Sequence, residues 1–348
     1  MHIALFGSFI NVSDEDMKKT LAVVHTPFHL VQLKRYKDCC FADVGQVFYS
    51  RHIDFNSLKA SFPDSRLVKM PGYDFNARKK LSLSIIKKYR RDTRSILDSI
   101  ASDDIEQFSK IVIFTDKDVF NQCLMRRIKD GQELILIDEG VGLYKRDALK
   151  HYLLKIIYPY ASMILFGFRY SYVNQLGVSR RIDRILARLP ELIEGSVRQA
   201  SIEKFPPTYD RMKYDDDGQK IMILTSPFVE DYGISKTGYL RSFGRLYCFL
   251  ASLGFDIHIK PHPREEQSYE VYGHVMDRSL AIEEVDLRGF RYIINFYSSS
   301  VIDLLARGYP AEKILTVNLL GATGMDKIFS GTQLYESIEQ FVDSFRIS

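Results

Sequence analysis

Cysteine is scarce in this sequence. Cys39, Cys40, Cys123 and Cys248 are the four among 348 residues, and neither their number nor their spacing makes a disulfide framework or a zinc site. The N-terminus lacks a signal-peptide pattern, which together with the few thiols predicts a reduced, cytoplasmic setting. An excess of charge of one sign is missing as well. Lys and Arg number 48 against 44 Asp and Glu, a net of +4, so the balance does not call for nucleic acid as a partner. Long apolar runs are absent too: the longest uncharged one, Ile156 to Phe168, is too short to span a bilayer and reads as a buried strand with its flanks. No repeat of fixed period and no low-complexity tract interrupts the chain. These exclusions leave a soluble globular protein, long for one domain and comfortable for two.

What is present begins with clustered basic residues. Arg78, Lys79, Lys80, Lys87, Lys88, Arg90, Arg91 and Arg94 crowd a stretch that reads as a helix from about Ala77 to Ile100. Arg180, Arg181, Arg184 and Arg188 crowd another, where Ile182, Ile185, Leu186 and Leu189 recur at helical spacing and predict an amphipathic, basic helix. Solvated helix faces account for both clusters. The alternative is an anionic acceptor or peripheral contact with an anionic inner-membrane surface.

Along the chain, strands and helices alternate. Residues 1–20 are hard to place, with Ile3 to Phe6 as a short strand at most. Leu21 to Val24 reads as a buried strand, broken at His25-Thr26-Pro27 and followed by a helix with Leu30, Leu33 and Tyr36 inward. Further strands are expected at Gln46–Tyr49, Arg66–Lys69, Lys110–Phe114 and Glu133–Ile137, with a helix from Val119 to Ile128. The pattern then loosens into helices and a polar stretch from Ser201 to Gly218 that carries Pro206 and Pro207. A second series follows: strands at Lys220–Leu224, Phe255–Lys260, Arg291–Asn295 and Ile314–Val317, helices at Thr237–Leu253 and Val301–Arg307, and a closing helix from Tyr335 to Phe345. The expected architecture is therefore α/β, with two Rossmann-like lobes, 1–205 and 219–348, joined by a linker at 206–218. They face each other across a cleft lined by the carboxyl ends of strands.

Three turns at strand ends carry reactive side chains. Lys260-Pro261-His262-Pro263 ends a strand abruptly and holds an imidazole on a stiff backbone; it is either a plain Pro-rich turn or a hydrogen-bond donor to a phosphate. Phe296-Tyr297-Ser298-Ser299-Ser300 leads from a strand into a helix, where serines serve as caps or as phosphate ligands. Asp138-Glu139-Gly140 hangs off an apolar strand, and a carboxylate beside another carboxylate has its proton affinity raised, which suits a general base. Asp216-Asp217-Gly218 precedes its strand and reads as a loop turn.

Taken together, these turns resemble the motifs of bacterial sialyltransferases with the glycosyltransferase-B fold, and Ile259 to Glu265 and Thr26-Pro27-Phe28-His29-Leu30 are similar to the lipooligosaccharide group. The resemblance covers the order of elements along most of the chain, but only about twenty residues are motif-like. It implies inverting transfer of sialic acid from CMP-sialic acid to a hydroxyl of a terminal galactose or sialic acid on lipooligosaccharide or capsular polysaccharide. Under it, Glu139 would be the base with Asp138 beside it, and His262 would assist the leaving phosphate. Lys260, Pro263, Ser298, Ser299, Ser300 and Glu284 would form the donor side, and Thr26, Pro27, Phe28 and Gly140 the acceptor-side loops. The 1–205 lobe would take the acceptor and the 219–348 lobe the CMP-sugar. The resemblance implies no cofactor and no metal, and a homodimer is compatible with it. Glycerophosphotransferases that use CDP-glycerol share the His-Pro and Tyr-Ser-Ser turns, and a non-catalytic nucleotide- or glycan-binding module is the third reading.

Overall fold

The structure, a computed structural model, describes residues 19–73, 82–101, 103–144, 152–173, 175–193, 197, 200–206, 218–232, 234–262, 265–278, 280, 282–296, 298, 300–317 and 332–345. Residues 1–18, Pro263 and Ser299 are outside them.

The first lobe runs β1 (Thr20–Val24), α1 (Pro27–Cys40), β2 (Val44–Tyr49), α2 (Phe55–Ser61), β3 (Arg66–Lys69), α3 (Leu83–Ala101), β4 (Lys110–Ile113), α4 (Val119–Met125), β5 (Glu133–Ile137), α5 (Val141–Tyr144), α6 (Tyr152–Phe166), β6 (Arg184–Ala187) and β7 (Ser201–Lys204). The second runs β8 (Lys220–Leu224), α7 (Phe228–Tyr232), α8 (Lys236–Ser252), β9 (Asp256–Lys260), β10 (His274–Val275), β11 (Phe290–Asn295), α9 (Ser300–Ala306), β12 (Ile314–Val317), β13 (Gln333–Tyr335) and α10 (Ile338–Ser344). Strands of continuous apolar residues, such as Leu134 to Ile137, are buried on both faces, as a parallel sheet covered by helices requires.

Each lobe holds one wholly parallel sheet. The first has seven strands in the order β3-β2-β1-β4-β5-β6-β7, and the second six in the order β10-β9-β8-β11-β12-β13. Counted from its own first strand, the second sheet reads 3-2-1-4-5-6, the doubly wound order of a Rossmann fold, and the first reads the same with β7 added as a seventh strand at its edge. The order reverses between β1 and β4 in one lobe and between β8 and β11 in the other, and a ligand crevice opens at such a switch point, at the carboxyl ends of the strands.

Four expectations are corrected. The stretch from Ile156 to Phe168 is the helix α6 and not a buried strand. The basic stretch around Arg184 is the strand β6, because Ile185 and Leu186 are both buried beside β5 and a four-residue strand cannot be told from a helical turn by apolar spacing alone. Ser201 to Lys204, read as the start of the polar boundary, adds the edge strand β7 to the first sheet. The closing helix is a strand, β13, followed by the shorter α10.

Candidate active site

The turn after β5 splits its two carboxylates between opposite tasks. Gly140, at φ 130°, takes a conformation that side-chain-bearing residues rarely adopt, which lets the chain fold back. Asp138 is buried and accepts the Gly140 amide at 2.7 Å, the Arg188 amide at 3.2 Å, the Arg188 Nε at 3.0 Å and the Tyr144 hydroxyl. Burial, then the Asp138 charge, pushes the Tyr144 hydroxyl far up. Burial works against the Arg188 cation, but the carboxylates of Asp138 and Asp303 hold it firmly protonated. Asp138 therefore fastens the turn, while Glu139 faces the other way with 36% of its side chain exposed.

What Glu139 faces is His29. Thr26 caps α1 by accepting the His29 amide at 3.3 Å and Pro27 occupies the first turn, so the helix start fixes where this imidazole stands. The ring lies on Phe114, with centroids 4.4 Å apart and planes 9° from parallel. Its Nδ1 accepts the His25 amide at 3.1 Å, which assigns the proton to Nε2, and Nε2 stands 3.6 Å from Glu139 Oε1. Burial lowers the pKa of His29 against the pull of Glu139, so the ring is neutral. For Glu139, burial pushes upward, but His29, the charge of His25 and the Thr115 hydroxyl outweigh it and bring the carboxyl below its ordinary value. The expected rise in proton affinity from a neighbouring carboxylate is therefore absent: Arg188 neutralises Asp138, and Glu139 answers to His29. His25 in turn places Nε2 3.7 Å from Asp118, which caps α4 and accepts the Tyr73 hydroxyl. Phe28 lies under Arg188, 5.0 Å from guanidinium to ring centroid.

In the second lobe the loop after β9 is built around a buried carboxylate. Glu265 accepts the His262 amide at 2.8 Å, the Tyr269 hydroxyl at 2.8 Å and the Thr225 hydroxyl, and burial raises its pKa. This anchors His262 by its backbone, partly exposed at the carboxyl end of β9. Lys260 is directed elsewhere than expected: its buried Nζ donates to the carbonyls of Pro261 at 2.9 Å and Arg278 at 3.3 Å, so it braces the loop. Ser298 gives its amide to Asn295 Oδ1 at 2.7 Å and its hydroxyl to Ser300 Oγ at 3.0 Å, and accepts the Ser300 amide at 3.3 Å. Glu284 is exposed at the end of a short 3-10 turn.

A second acid shared across the lobes ties these edges together. Asp303 of α9 is buried and lies 3.0 Å from Arg35 Nη1 of α1 and 3.8 Å from Arg188 Nη1 beyond β6. The carboxyl ends of β5 and β6 thus meet the helix that follows β11. The sequence assigns no role to His29, Glu265 or Asp303, and Arg188, expected on a solvated basic face, is instead 1% exposed and paired with Asp138. Glu265 was quoted within the His-Pro stretch and His29 within the first turn, but Thr225, which Glu265 meets, and Glu139, which His29 meets, lie far off in the chain. Among the described residues no group of three or more His, Cys, Asp or Glu is placed to hold a metal ion.

The family described as Alpha-2,8-polysialyltransferase (POLYST) matches residues 20–304. No curated protein matches the chain. Among solved structures, the glycotransferase of kitacinnamycin is similar at 12% identity, covering 93% of this chain and 89% of that one, with a TM-score of 0.49. MurG of Acinetobacter baumannii is similar at 13% identity, covering 94% and 90%, with a TM-score of 0.46. The glycosyltransferase SnogD from Streptomyces nogalater is similar at 11% identity, covering 90% and 87%, with a TM-score of 0.45.

Proposed function

We propose, since this chain belongs to the alpha-2,8-polysialyltransferase family, that it transfers sialic acid from CMP-sialic acid to a hydroxyl of a terminal sugar, sialic acid or galactose, with inversion at the anomeric carbon. Glu139 takes the proton of the acceptor hydroxyl as that oxygen forms its bond to the anomeric carbon. The bond from that carbon to the phosphate oxygen breaks, and its electron pair leaves with CMP. His262 donates to the departing phosphate, and Ser300, at the start of α9, supplies its hydroxyl to the phosphate oxygens as charge develops, with Ser298 holding the turn. The acceptor belongs to a surface glycan, lipooligosaccharide or capsule, and the step as drawn asks for no metal.

The observation that carries this reading is the environment of Glu139: an ionised, partly exposed carboxylate at a strand end, set against a neutral imidazole that cannot protonate it. A base must be both unprotonated and reachable, and Asp138, buried and accepting five hydrogen bonds, is not reachable. Glu139→Gln tests it. CMP affinity measured by calorimetry stays within a few-fold of the parent, while sialyl transfer falls by roughly 10²–10⁴-fold. Transfer at near-parent rate in Glu139→Gln removes the base from this mechanism.

A further inference from the structure

Helix α6 wears its apolar side chains on the outside. Ile156, Ile157, Tyr160, Met163 and Ile164 are each between 49% and 64% exposed. At 100° per residue they fall within about 120° of the helix circumference. The other side is the packed one: Ser162 and Phe166 are buried, and Phe166 stacks on Tyr89 of α3 with centroids 5.3 Å apart. A contiguous apolar stripe of this kind on a soluble surface marks an interaction site.

The charge around the stripe says what it meets. On α3, Leu83, Lys87, Arg90, Arg91 and Arg94 line a single exposed face at helical spacing, opposite the buried Ile96 and Ile100. Arg90 reaches across to the Ile164 carbonyl of α6, Nε at 3.2 Å and Nη2 at 2.7 Å. Arg169 places its guanidinium 5.6 Å from the centre of the Tyr160 ring. Helix α6 contains no acidic residue; α3 carries Asp92, which is buried and 3.8 Å from Arg91, and one exposed acid, Asp98, a turn beyond Arg94, against the four exposed cations Lys87, Arg90, Arg91 and Arg94. A second copy of the chain fits poorly, because a two-fold contact through this face would set the basic stripe of one copy near that of the other.

We propose that this face seats the protein on an anionic lipid bilayer, with α6 lying in the interfacial plane. Its apolar stripe enters the boundary between headgroups and acyl chains, and Lys87, Arg90, Arg91, Arg94 and Arg169 meet the headgroup phosphates. No helix among the described residues is long and apolar enough to cross a membrane, so the attachment is to one leaflet.

Co-sedimentation with vesicles tests this. The parent protein binds vesicles of phosphatidylcholine mixed with phosphatidylglycerol and is released as salt is raised, while phosphatidylcholine alone retains little of it. Lys87→Gln/Arg91→Gln/Arg94→Gln lowers partitioning on the order of 10²-fold, from about one kcal/mol for each basic residue near the surface. Ile157→Gln/Ile164→Gln also weakens it, and both variants keep the parent melting temperature because the changed side chains are exposed. Absence of vesicle binding by the parent, equal binding to both vesicle types, or unchanged binding in both variants overturns the proposal. So does a dimer, seen by analytical ultracentrifugation, that Ile157→Gln/Ile164→Gln dissolves.

Discussion

His29 presents Nε2 to Glu139 Oε1 at 3.6 Å, a carboxylate kept ionised by an imidazole that burial keeps neutral. The pair fixes the protonation state of the proposed base from a residue that need not touch either substrate. His29 is on this account a positioning residue.

The consequence is a pH profile. With its pKa below the ordinary glutamate value of 4.5, Glu139 holds no proton near neutral pH, so the acid limb of kcat/KM lies in the acid range. His29→Ala removes the His29 hydrogen bond, which lowers the pKa, and leaves burial, which raises it, against His25 and Thr115, which still lower it. The acid limb then moves toward neutral pH, and activity is lost earlier as pH falls. A His29→Ala enzyme whose acid limb coincides with the parent's contradicts the pairing.

Asp138 and Glu139 are expected to fail differently. Asp138→Ala strips Arg188, only 1% exposed, of its closest partner and leaves Asp303 at 3.8 Å as the remaining acid. Removing one side of a buried ion pair costs about 3–5 kcal/mol, so melting temperature falls steeply. Thermal unfolding followed by circular dichroism checks this. An Asp138→Ala protein that melts like the parent yet does not transfer would exchange the roles of the two acids.

At the start of α9 the serines separate in the same manner. Among the described residues Ser298 bonds only within its own turn, so Ser298→Ala costs about 0.5–2 kcal/mol of stability and leaves CMP affinity unchanged. Ser300→Ala weakens CMP by roughly 10–100-fold, since a hydrogen bond to a charged group is worth about 1.5–3 kcal/mol, while cytidine binds both proteins alike. Calorimetry with the two ligands decides, and equal loss for CMP and cytidine counts against phosphate contact.

Asp116 offers a test of stability. Burial pushes its carboxyl up to about 6 from 3.8, and Oδ1 has no hydrogen-bond partner among the described residues. A group with a raised folded-state pKa stabilises fully below its unfolded value, here 3.8, and loses that contribution as pH rises through about 6. Holding the charged carboxylate in this buried place costs about 3 kcal/mol. Asp116→Asn therefore raises the melting temperature at pH near 8, and the gain disappears toward pH near 4. A gain that is the same at both ends contradicts the raised pKa.

Most of the parallel framework could be read from the chain because its central strands are continuous apolar runs: Leu21 to Val24 and Leu134 to Ile137 admit no other burial. Edge elements were harder. The spacing of Ile182, Ile185, Leu186 and Leu189 suits a helix, yet the middle two are buried on opposite faces of β6, and Arg188 turns inward because Asp138 awaits it. The run from Ile156 to Phe168 looks the same in sequence whether its apolar face points in or out. Glu139 was legible at a strand end. His29 as its partner was not, because the two meet only through the parallel order that sets β1 beside β4 and β4 beside β5.

The most direct test of sialyl transfer is a donor comparison. The purified protein is incubated with CMP-sialic acid, CDP-glycerol and UDP-sugars in turn, with acceptors ending in sialic acid or galactose, and products are followed by mass spectrometry. Our account predicts that CMP-sialic acid alone is consumed, releasing CMP and lengthening an acceptor by one sialyl residue or more. Transfer of glycerol phosphate from CDP-glycerol, or of sugar from a UDP donor, with CMP-sialic acid left intact, would contradict it.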